Sequence, residues 1–208
     1  MCIKKIALCL PIFIAALQSF STAQTYADSL AKHREKYKEE FLSDEHSPLK
    51  QEDLAYLRFY EANTAMRVPA KIKLLTGTDT IIMKTVSGKE KTYVVFAQLE
   101  FKINKKTQRL FAYRSITLMK DPEHSDHVFV PFTDNTNYKT TYGGGRYLDF
   151  TLKDFSTAAV IIDFNKAYNP YCAFAGGYNC PIPPKENNLR IAIAAGEKLF
   201  GKASTQNH

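Results

Sequence analysis

The run YVVFAQLEFKINKKTQRLFAYRSITLM, Tyr93 to Met119, reads as two strands and a turn. Ala97, Leu99, Phe101 and Ile103 alternate strictly with Gln98, Glu100 and Lys102, the period of a strand with one face against a core. Asn104-Lys105-Lys106-Thr107 turns the chain into Arg109–Met119, whose aromatic and β-branched content suits the returning strand. The same period extends outward from this hairpin. Val68–Leu75 is a predicted strand with Pro69 near its start, where a missing donor is tolerated. Further strands are predicted over Asp79–Thr85, Val128–Phe132, Tyr147–Leu152 and Ala158–Asp163. About seven short strands joined by turns make a mainly β chain, an antiparallel meander forming a barrel or a sandwich.

Two helices are expected before the first strand. Tyr26, Leu30, Tyr37 and Phe41 share one helical face, with Lys32, Glu35, Lys36 and Glu39 opposite. Ser47-Pro48 offers a cap and a first-turn proline for a second, short helix reaching about Leu57. Residues 24–200 are read as a single domain, followed by a loose polar tail over 201–208.

The N-terminus reads as a leader. Lys4 and Lys5 precede the apolar run Ile6–Leu17, and Ser21-Thr22-Ala23 suits a signal peptidase. Twelve apolar residues are too few to cross a bilayer, which takes about 20. The expectation is therefore an exported protein, periplasmic or extracellular, with residues 1–23 removed and no transmembrane segment left. The full chain carries a net charge of +7, falling to +5 without Lys4 and Lys5. No basic stripe with interleaved aromatics occurs, so nucleic acid is not an expected partner.

Removal of the leader leaves Cys172 and Cys180, in the stretch DFNKAYNPYCAFAGGYNCPIPP, Asp163–Pro184. Export and a short loop containing Gly176-Gly177 favour a disulfide, over two buried thiols or a metal or redox pair. No metal or cofactor is expected. The cluster His124-Ser125-Asp126-His127 reads as a solvated turn rather than a ligand set, and no GxSxG string supports a serine hydrolase.

Several strings follow one another in the order of a known family: FLSDEHSPL, VFVPFTDNTNYKTTYGGGRYLDF, DFNKAYNPYCAF, CPIPPKENNL and IAIAAGE. On these the chain resembles the bacterial domain-of-unknown-function family numbered 1684, from Tyr37 to Leu199. The resemblance implies no activity. It directs attention to Asp134, Thr136, Arg146, Tyr147, Asp149, Asp163, Asn165, Tyr168, Asn169, Pro170 and Asn187 among others. Phe174 stands where the family commonly has tyrosine, and Tyr138 where it commonly has a turn glycine.

Gly143-Gly144-Gly145 permits close backbone approach, and Arg146 offers a planar fork for a carboxylate or phosphate. Arg146 either clamps a ligand or locks the loop through Asp134 or Asp163. The stapled stretch is expected to close one mouth of the β shell as a lid, above Arg146, Tyr147 and Asp163. Arg146, Tyr147, Asp149, Asp163, Asn165, Tyr168 and Asn169 form the candidate binding set. A noncatalytic module for a small anionic or glycan-like ligand is the first expectation. A hydrolase using Asp149 and Asp163 as acid and base, with the two on adjacent strands, is the alternative, and a structural envelope protein is a third.

Overall fold

The computed structural model describes residues 10–76 and 79–202, with side chains described from residue 24 onward. Residues 1–9 of the expected leader, including Cys2 and Cys9, and most of the expected tail lie outside the described residues. Helix α1, Leu10–Ser43, runs unbroken through the expected cleavage point. Among the described residues no helix is long and apolar enough to cross a membrane.

All seven expected strands form. They are β1 (Arg67–Leu74), β2 (Thr80–Lys84), β3 (Glu90–Ile103), β4 (Lys106–Ser115), β5 (His127–Asp134), β6 (Arg146–Thr151) and β7 (Ala159–Asp163). The β3–β4 hairpin pairs Ile103 with Lys106 across a two-residue turn. Asn104 and Lys105 both adopt positive φ there, the conformation that matches a tight hairpin to the strand twist. Ala97, Leu99, Phe101 and Ile103 are buried, as their alternation requires. An eighth strand, β8 (Asn188–Leu189), adds to β5 in parallel. Two residues are too few to leave a periodic signal.

The sheet order is β6-β5-β4-β3-β1-β7, with β2 on the first half of β3 and β1 on its second half. One curled sheet, a half-barrel, therefore replaces the expected sandwich or closed barrel. Strands β6 and β7 are not neighbours in a hairpin. Phe155, in the 3-10 turn between them, is buried against Phe96 and Phe150 and splays the two strands apart. They end on opposite margins of the sheet, and the curl brings the margins back together through a bridge between Tyr147 and Tyr168. The hollow face is filled by Phe101, Phe132 and Phe164 and by the irregular segment carrying Ile193 and Ala195.

The second expected helix is a 3-10 helix of two turns, Gln51–Tyr56. Ser47 does not cap it, because its hydroxyl donates to the Leu49 carbonyl and accepts the Leu49 amide. That local turn competes with helix initiation. Asp53 instead receives the Lys50 amide at 3.0 Å.

Candidate functional site

The cysteine-bearing stretch, the expected lid, lies between the end of α1 and the margin of β2. Cys172 and Cys180 are joined as a disulfide. Tyr171 donates to Asp44 and Tyr178 to the His46 carbonyl, tying the loop to the end of α1. On the other side Val86 donates to the Cys180 carbonyl and Ile182 to that of Lys84, pairing the loop with the margin of β2. Phe174, the position without the family's hydroxyl, packs edge-on against Phe41 and Phe200. Closing an eight-residue separation stabilises the fold by roughly 2.5 kcal/mol on the chain-entropy account. Titration of denatured, unreduced protein should find neither Cys172 nor Cys180 free, and Cys172→Ser with Cys180→Ser should lower stability by about that amount. Two reactive thiols at 172 and 180 would refute the staple.

The triple-glycine turn meets this lid. Gly145 has φ +90°, and a Cβ there would lie 2.6 Å from the Phe132 carbonyl oxygen and 2.7 Å from Pro183 Cγ. Only glycine fits both the conformation and the space. Tyr147 donates its hydroxyl to the Pro181 carbonyl, linking β6 to the lid directly. Tyr138 itself has φ +62°, which accounts for glycine being common at that position.

Arg146 is not beside Asp163 and is not available to a ligand. It is 0 % exposed and pairs with Asp134 at 2.9 Å. Its two Nη groups also reach the carbonyls of Ile193, Ala195 and Glu197. Asp134 in turn accepts from Thr136 and from the Ile193 amide. Of the two readings of Arg146, the geometry is that of the lock. Asn165 and Asn169 are likewise internal. Asn165 exchanges two hydrogen bonds with the backbone of Asn63, and Asn169 donates to the Lys198 carbonyl. Asp163 receives Tyr26 of α1 and both the backbone and side-chain amides of Asn165, with Arg67 3.6 Å away. These three residues fasten α1 and the 3-10 turn after β7 to the sheet.

An open cavity lies beside that network. It has a volume of about 990 Å³ and runs between the margins of β6 and β7, under α1 and beside the lid. Tyr147, Asp149, Asp163, Asn165 and Tyr168 of the expected set line it, while Arg146 and Asn169 do not. Asp149 is held by His127 at 2.9 Å and by the Tyr168 hydroxyl. Burial and the adjacent Asp149 carboxylate push the Tyr168 phenol well above its ordinary range. The His127–Asp149 pair is invisible in the sequence, since 22 residues separate the partners. The wall from α1, with His33, Arg34, Tyr37, Glu40 and Phe41, also escaped the sequence reading. Its only sequence signal is a spacing that places His33 and Arg34 on the flank of the apolar stripe.

The charges in the cavity are unequally engaged. Glu40 has Lys36, Asp149 has His127 and Tyr168, Asp154 holds the Thr151 amide and hydroxyl, and Asp163 is fully bonded. Arg34 donates to the Tyr60 carbonyl and stacks over Phe59. Lys91 and Lys166 make no ion pair or hydrogen bond among the described residues. Loss of water without a neighbouring anion lowers the Lys91 ammonium below its ordinary value. Burial, followed by the nearby Lys166 charge, lowers His33 as well.

The family model for proteins of unknown function DUF1684 matches residues 52–198. The chain belongs to this family. A structure determined in solution for an uncharacterized protein of the archaeon Haloarcula marismortui shares the DUF1684 chain's fold at a TM-score of 0.66. The two are 27 % identical, over 86 % of this chain and 96 % of that one. No curated protein matches the chain. All of α1, and with it one wall of the cavity, lies outside the residues matched by DUF1684.

Proposed function

We propose that the protein is an exported binding module that takes a small anionic ligand in the cavity between α1 and the margins of β6 and β7. The observation that carries this reading is the unequal engagement of the lining's charges, Glu40, Asp149, Asp154 and Asp163 on one side and Lys91 and Lys166 on the other. The carboxylates are all occupied by protein donors, while Lys91 and Lys166 are left without a counter-charge. Aromatic rings from Phe41, Phe59, Tyr147, Tyr168 and Tyr171 supply apolar wall around them, the composition of a small-molecule pocket. The leader and the disulfide favour export. The hydrolase alternative loses its acid–base pair, because Asp163 spends its oxygens on Tyr26 and Asn165.

The test is titration of the purified chain with glutarate and with inorganic phosphate, followed by calorimetry. Lys166→Ala and Lys91→Ala should each weaken binding about fivefold to tenfold and leave the melting temperature unchanged, since both side chains are exposed. Wild-type protein that binds neither anion, or variants that bind both as tightly as wild type, would sink the reading.

A further inference from the structure

The phase of the two marginal strands shows where their backbone groups point. In β6, Tyr147 exchanges both main-chain hydrogen bonds with Tyr168, on the side away from β5. Its partner across β5 is Pro131, which has no N–H to offer. Alternation along an unbroken register then turns the N–H and C=O of Asp149 and Thr151 to the same outer side. Thr151 is satisfied there by Asp154 at 2.7 Å. The main chain of Asp149 has no partner among the described residues.

Strand β7 alternates in the same way. Pro69 of β1 faces Ile161, and Ile72 donates to the Ala158 carbonyl at 2.9 Å. The even-numbered residues of β7 therefore bond β1, and Ala159, Ile161 and Asp163 turn their backbones outward. Thr157 covers the Ala159 carbonyl at 2.8 Å. The main chain of Ile161 has no partner among the described residues. Each margin is thus closed toward one end by protein groups and open in its middle, and both open middles line the one cavity. Exposed strand edges are ordinarily blunted along their length. Here Asp149 and Ile161, both in the cavity lining, are left unblunted between blunted neighbours.

We propose that the ligand is a short acidic peptide, bound extended so that its amides pair with the main chain of Asp149 or Ile161 while its carboxylates meet Lys91 and Lys166. This rests on the anionic-ligand reading above and adds the peptide backbone to it. Main-chain pairing at a strand edge supplies affinity, and the pockets beside it read the side chains. A glycan or a simple anion would satisfy the lysines and leave the paired donor and acceptor of each edge residue unmatched.

The experiment titrates the chain with capped tetraglutamate, with two analogues N-methylated at alternate residues, and with glutarate. N-methylation keeps every carboxylate and removes amide donors on one side of the extended peptide. Tetraglutamate should bind, and at least one methylated analogue should bind about tenfold more weakly. The amide resonances of Asp149 or Ile161 should shift on addition of the unmodified peptide. Equal affinity for all three peptides would overturn the peptide inference, as would binding of glutarate alone, and the anion reading would stand in both cases. Failure of the peptides and of glutarate alike would remove both.

Discussion

Arg146→Ala is expected to destabilise the protein by about 3–5 kcal/mol, a large part of the whole stability of a domain this size. The substitution strands the Asp134 carboxylate, 0 % exposed at its side chain, without its counter-charge. It also leaves the carbonyls of Ile193 and Ala195 without the donors that now reach them. A buried acceptor without a partner costs more than the bond itself contributed. Arg146→Lys should recover less than half of the loss. An ammonium is a point donor and cannot span one carboxylate and the carbonyls on its other side as a planar fork does. Chemical denaturation of the two variants beside wild type measures the effect. Lys166→Ala is the control, expected to change binding and spare stability. An Arg146→Ala protein as stable as wild type that no longer bound anions would return Arg146 to the ligand-contacting set.

Glu197 is expected to make stability fall as pH rises, the reverse of the usual behaviour of a carboxylate. It is fully buried, and one oxygen accepts the Tyr37 hydroxyl at 2.9 Å and the Asn169 amide at 2.8 Å. The other oxygen has no partner among the described residues. Burial pushes the carboxyl up from 4.5 to about 7, and the bonds from Asn169 and Tyr37 and the charge of Arg146 pull it back only in part. The folded protein therefore retains a proton that the unfolded chain releases at lower pH. The contribution is fully present below about pH 4.5 and is lost as pH rises through about 7. The span corresponds to about 3 kcal/mol. Asp44 and Asp53 are shifted downward by their hydrogen bonds and act in the opposite sense, losing stability as pH falls. The measurement is therefore the difference between wild type and Glu197→Gln across pH 4 to 8. Glutamine keeps an acceptor for Tyr37 and cannot titrate. Parallel curves for the two proteins would show that Glu197 does not titrate in this range.

Sequence reading reached the strands because their signal is local. The alternation at Ala97, Leu99, Phe101 and Ile103 needs no knowledge of the partner strand, and Asn104-Lys105 turns the chain wherever the hairpin docks. The α1 stripe was legible for the same reason, since Leu30 and Phe41 bury as spaced. The short second helix failed on an equally local detail, the Ser47 hydroxyl turning back on Leu49. The candidate site was legible only in part. Tyr147, Asp149 and Tyr168 do line the cavity. Arg146 read either as a ligand clamp or as a lock through Asp134 or Asp163, because a guanidinium after three glycines has the chemistry for both. Its true partners, Asp134 and the carbonyls near residue 195, are set by how the C-terminal segment threads the hollow of the sheet. Glu197 drew no attention as the last letter of IAIAAGE, because nothing nearby in the chain foretells its burial.

Residue order alone therefore determined the strands, the β3–β4 hairpin and the cysteine pair, each an interaction between positions a few residues apart. Tertiary structure decided which charges are entombed and which face solvent, and it placed β6 and β7 on opposite margins of a curled sheet with α1 across the gap. The reason is physical. Periodicity and turn chemistry act through the local backbone, whereas desolvation and ion pairing depend on segments more than a hundred residues apart, as Tyr26 and Asp163 are.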